Sequence, residues 1–134
     1  MATRKTQKSK NYKEWTEARF KSFVTSALRT ATRKWPPKYE ALKAANIGRR
    51  LDKATGKLSY RYKCAGCGKT FKQKDVQVDH IFPVVDPHKG FTNWDEYIDR
   101  MFCDVEHLQV LCTECHSVKT QNEREERKNA SKAD

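Results

Sequence analysis

Two pairs of cysteines, three histidines and an aspartate carry the chemistry of this chain. Cys64-Ala-Gly-Cys67 and Cys112-Thr-Glu-Cys115 are CxxC pairs. Four thiolates in two such knuckles can close a tetrahedral zinc site. That leaves the oxygen and nitrogen donors free. Asp79 and His116 are then available to a second, harder divalent ion of the kind that handles phosphate, and His80 stands beside Asp79 as a spare base able to take a proton from water. A redox role for the cysteines fits less well, because there are two pairs and no thioredoxin-like βαβ context.

The ordered set Cys64-x2-Cys67, Asp79-His80, His107-Leu108-Gln109-Val110-Leu111-Cys112 and Cys115-His116-x2-Lys119-Thr120 resembles the HNH endonucleases. It covers about half of the chain. Within that family it looks most like the small free-standing proteins of bacteriophages, of homing or packaging type, a likeness that also leans on the segment 90–97. The resemblance implies an α+β fold with a ββα-metal core and double-stranded DNA as substrate. It implies phosphodiester hydrolysis leaving 5′-phosphate and 3′-hydroxyl ends. Asp79 and His116 would hold the catalytic ion, magnesium or manganese foremost, with zinc or nickel also suited to the histidine ligand. His80 would be the general base. His107 stands where the family normally has Asn, a residue that braces the loop before the helix and in some members ligates the metal. An imidazole can also donate, accept or ligate, but not through one planar amide. The competing expectation is a non-catalytic, zinc-dependent DNA-binding module, with His107 as its best support.

Composition frames these residues. The chain has 134 residues, 37% hydrophobic and 34% charged, and so can bury only a small core that a zinc staple would reinforce. Charge is divided unevenly. Residues 1–63 hold 18 Lys or Arg against 4 Asp or Glu, a net of +14, whereas residues 64–134 hold 10 against 13, a net of −3. A polyanion is the expected partner, contacted through the basic half. Four of the five cysteines fall in CxxC pairs, and no apolar run opens the chain or is long enough to span a membrane. The expectation is an intracellular protein, in the host cytoplasm if phage-encoded, acting as a monomer or a transient dimer on DNA. Cys103 reads as a buried thiol outside the zinc set.

Three segments must position the site. Residues 1–48 read as a basic helical extension: one helix from Glu14 to the break at Pro36-Pro37, then a short one from Pro37 to Asn46. Lys21, Arg29, Arg33 and Lys34 are its expected DNA contacts, its aromatics being expected in the core. Residues 49–128 read as the zinc-stapled core. It opens with a hairpin over 49–63 that carries two further DNA contacts, Arg49 and Arg50, and turns at Ala-Thr-Gly. A strand follows over 76–82. On a strand Asp79 and His80 face opposite sides, so both serving one site implies a bend there. Residues 94–102 read as a short amphipathic helix. The helix bearing His116 and Lys119 is expected to start at Thr113 as N-cap, with Lys119 a phosphate-binding cation. Residues 129–134 read as a disordered tail.

Overall fold

The structure is a computed structural model that describes residues 14–132. Residues 1–13 of the expected basic extension and 133–134 of the expected tail lie outside the described residues. The chain divides into two compact units, one ending at Lys34 and the other starting at Trp35. The described residues form a mixed α+β fold of four helices and two small sheets.

In the first unit, helix α1 spans Glu17–Thr32. Its first turn is capped by the Thr16 hydroxyl, which accepts from the Arg19 amide at 3.1 Å. Lys21, Arg29, Arg33 and Lys34 are all exposed. The aromatics are less buried than the periodicity implies. Phe23 is exposed and meets Trp15 edge-on at 5.2 Å, and the Arg19 guanidinium lies 4.6 Å over the Trp15 ring. These rings pack against one another and a cation.

The second unit is built on two antiparallel sheets. Helix α2, Pro36–Ala45, takes its start from two prolines whose missing amides cost nothing at a helix N-terminus. It leads into β1, Asn46–Asp52, and β2, Lys57–Lys63, which pair with Leu51 opposite Leu58 and Arg49 opposite Tyr60. The turn closes through the Gly56 amide onto the Asp52 carbonyl at 2.7 Å, with Gly56 at φ +70°, a conformation that favours glycine. A short β3, Thr70–Phe71, completes this sheet beside β2.

The second sheet is a ribbon of β4, Val76–His80, and β5, Leu108–Cys112. Its register pairs Asp79 with Gln109 and His80 with Leu108, and the Ile81 amide continues the pairing to the His107 carbonyl at 2.9 Å. The bend expected at Asp79-His80 is therefore absent, because unbroken ladder hydrogen bonds keep the pleat regular. The two residues face opposite sides of the ribbon. Helix α3, Trp94–Met101, is capped by the Asn93 side chain, which accepts from the Glu96 amide at 2.8 Å. Trp35 ties α2 to the end of α3: its indole N–H donates to the Cys103 carbonyl at 2.7 Å and its ring meets Phe102 edge-on at 5.4 Å. Helix α4 spans Thr113–Lys132 and so continues through most of the segment expected to be disordered. No helix among the described residues is long and apolar enough to cross a membrane.

Candidate metal centre and acid–base site

The first knuckle is locked to the end of the ribbon. The Ala65 amide donates to the Val110 carbonyl at 2.8 Å, and the Gly68 amide returns to the Cys64 carbonyl at 2.9 Å. These bonds bring Cys64 and Cys67 to Cys112 and Cys115. All four sulfur atoms lie within 4.8 Å of one another, so the cluster could hold a structural metal such as zinc. Tetrahedral zinc with sulfur bonds of about 2.3 Å sets sulfur–sulfur separations near ~3.8 Å, which this cluster can meet with little movement.

The surroundings suit thiolates. The amides of Gly66 and Cys112 each donate to Cys64 Sγ at 3.3 Å, and the Cys115 amide donates to Cys112 Sγ at 3.4 Å. Burial opposes ionisation of Cys64, but the amides of Cys112, Cys67 and Gly66 outweigh it and bring its pKa down to about 6. Cys115 is pushed the other way, to about 12, by hydrogen bonding with Cys112 and Cys64 and then by burial. An incoming metal must displace that proton, so binding weakens as pH falls. Gly66 permits the close approach: a Cβ there would meet Cys115 Sγ at 3.0 Å. Cys64, Leu111 and Cys112 also form a buried cluster, with Phe71 and Cys115 packed on it, so the metal ligands are themselves part of the core.

The second knuckle passes directly into α4. The expected Thr113 cap is replaced by the Cys112 sulfur, while the Thr113 hydroxyl donates to the Asp75 carbonyl at 3.3 Å. One turn in, His116 and Lys119 share a helix face that meets Asp79. His116 Nε2 stands 3.6 Å from Asp79 Oδ1, Lys119 Nζ 3.1 Å from Asp79 Oδ2, and the Gln109 amide donates to Asp79 Oδ2 at 3.4 Å. Lys119 also pairs with Glu123. Burial by itself lowers the Lys119 pKa, but Glu123 and Asp79 outweigh it and hold the ammonium above its usual range. Asp79 and His116 thus present an oxygen and a nitrogen close enough to share one divalent ion, a donor set that fits a hard or borderline metal.

His80 lies on the opposite face of β4. Its Nε2 is 2.7 Å from the Met101 carbonyl, which can only accept, so Nε2 carries the hydrogen and Nδ1 is left with its lone pair. Burial pushes its pKa below the usual value, opposed by the Met101 hydrogen bond and helped by Lys38. The imidazole is accordingly neutral at pH 7. A cavity of about 340 Å³ opens beside it, lined also by Phe82, Asp99, Arg100, Cys103 and His107.

His107 shares that cavity and does not join the Asp79–His116 pair. Its ring is half exposed, 3.4 Å from Glu106, and tilted against Phe82 at 6.5 Å. Its backbone carbonyl braces the end of β4 through Ile81. His88 is at the surface, near Glu126 at 3.8 Å. Cys103 lies outside the cysteine cluster, half buried, and burial raises its thiol pKa. Arg100, on the wall of the His80 cavity and paired with Glu96 at 3.6 Å, gave no signal in the sequence, because only the packing of α3 beside β4 brings it there.

No protein-family model, curated protein or solved structure matches this chain.

Proposed function

We propose that this protein is a metal-dependent endonuclease of the HNH kind that hydrolyses phosphodiester bonds in double-stranded DNA. The observation that carries the reading is the His80 Nε2 to Met101 carbonyl bond, which orients a neutral imidazole one residue from Asp79. A base held with one nitrogen tied and the other free is what proton abstraction from water requires. The order β4, β5, α4, with Asp79 on the first strand and His116 in the first turn of the helix, agrees with a ββα-metal core.

Asp79 and His116 would hold the catalytic ion, with magnesium or manganese the best match. When bound, such an ion supplies Lewis-acid stabilisation of the phosphate and of the departing oxygen. The protein's own groups do the rest. His80 Nδ1 takes the proton of the attacking water. Lys119, kept charged by Glu123 and Asp79, places a cation beside the phosphate. Because Asp79 and His80 leave β4 on opposite faces, the scissile phosphate and its attacking water would have to sit at the free edge of that strand to reach both. The His107 ring, near Glu106 and Phe82, does not take over the bracing role of the family's Asn side chain; only the backbone carbonyl at that position holds the end of β4. The four-cysteine cluster, filled by zinc, would fix β5 and the start of α4 to the first knuckle.

The metal assignment has its own test. Manganese titrated into zinc-replete protein is expected to bind one ion per chain without displacing zinc, and Asp79→Ala or His116→Ala to weaken that binding at least ~10-fold. Manganese binding undiminished in both variants would place the ion elsewhere and overturn the ligand assignment.

A further inference from the structure

The β1–β2 hairpin carries a surface that the catalytic reading leaves unused. Over residues 49–63 it has six Lys or Arg and one acidic residue, Asp52. Asp52 is buried and paired with Lys72, so the exposed hairpin carries no free carboxylate to offset its cations. One face is also apolar. Leu51 and Leu58 are directly opposed across the strands and exposed by 59% and 62%. Next along that face, Arg49 opposes Tyr60, its guanidinium 5.1 Å over the ring, and Tyr60 is itself 46% exposed. Two large aliphatic side chains side by side in water are costly to leave uncovered. Placed inside a basic rim, they point to a polyanion that also offers apolar contacts.

We propose that this hairpin enters the major groove of duplex DNA. Two strands about 4.8 Å apart, with their side chains, match a groove roughly 12 Å wide and are too broad for the minor groove at about 6 Å. Leu51 and Leu58 lie against base edges and thymine methyl groups, and Arg49, steadied by Tyr60, reaches guanine acceptors. Lys53, in the exposed turn at the tip, holds a flanking phosphate, whereas Arg50 and Lys57 leave the strands on the opposite face. The hairpin therefore reads base edges as well as phosphate charge, which the DNA contacts expected from basic residues alone do not imply. The inference rests on the reading of the protein as one that acts on duplex DNA, but binding alone tests it.

The experiment is fluorescence anisotropy on a labelled 20-base-pair mixed-sequence duplex, with zinc-replete His80→Ala protein and no added catalytic metal, so that a failure of the nuclease reading leaves the result intact. Leu51→Ser/Leu58→Ser, two exposed positions that the fold does not need, is expected to weaken binding about 10-fold with an unchanged salt slope. Lys53→Gln is expected to flatten the slope of log affinity against log salt by about one. Methyl green, a major-groove ligand, should compete with the protein, and netropsin, a minor-groove ligand, should not. Unchanged affinity of the leucine variant overturns the proposal, as does competition by netropsin alone. So does a finding, by sedimentation, that the leucine variant converts a dimer to a monomer, since the face would then bind a second copy of this chain.

Discussion

Replacing Cys64 by serine is expected to abolish zinc binding at the cysteine cluster and with it the folded state of the second unit. Cys64 is fully buried, its sulfur accepts two amide hydrogen bonds, and it sits at the centre of the small core with Leu111 and Cys112. A structural zinc site contributes on the order of 10 kcal/mol of apparent binding free energy, as much as the whole net stability of an ordinary domain at about 5–15 kcal/mol. A core this small holds no reserve to offset that loss. Zinc content per chain and thermal unfolding followed by circular dichroism should show a metal-free protein with no cooperative transition. Cys103→Ser serves as the control: its thiol lies outside the cluster, so zinc should be retained and stability should change by only about 1 kcal/mol. A Cys64→Ser protein with one zinc per chain and the parent's melting temperature would show that the cluster does not hold the fold together.

His80→Ala is expected to reduce single-turnover cleavage of duplex DNA by about 10²- to 10⁴-fold, the usual contribution of a positioned general base. DNA binding should persist, because the imidazole is neutral and its one hydrogen bond is to the Met101 carbonyl. Losing that bond leaves the Met101 carbonyl unpaired at a cost of about 1–3 kcal/mol, less than the net stability of an ordinary domain, so the variant should fold and can be compared directly with the parent. Cleavage by His80→Ala at the parent's rate would assign the base to another group.

These two residues also show how much is legible in the sequence. The cysteine cluster can be read from spacing alone, since two CxxC pairs leave few other arrangements, and the structure brings their four sulfurs together across 44 intervening residues. The pairing of Asp79 with His116 and Lys119 follows from a strand and the first turn of a helix, and both elements begin where expected. The side of the ribbon that His80 occupies differs from the expectation. A bend is expected where the structure has a ladder, and the register of that ladder depends on β5, which a local reading of 76–82 cannot see. The partner of His80, a backbone carbonyl at the end of α3, has no side-chain signature at all. The Thr113 cap differs for a local reason: the helix already includes Thr113, and the Cys112 sulfur just before it accepts from the Cys115 amide within the same CxxC knuckle.

The same limit applies to Trp15 and to Phe23 of α1. The spacing of Trp15 and Phe23 promises a core, but Phe23 meets Trp15 edge-on and stays open to water, so apolar periodicity describes their proximity without the burial.

The most direct test of the central claim is a supercoiled-plasmid assay on zinc-replete protein stripped of loosely bound metal, with magnesium, manganese or no ion added back. The account predicts relaxed or linear product only when a divalent ion is restored, with ends bearing 5′-phosphate and 3′-hydroxyl groups. Tight binding to a plasmid that stays intact under both metals would contradict it. The fold with its four-cysteine cluster would then be that of a DNA-binding module, and His107, standing where the resemblance expects Asn, the first position to change in seeking activity.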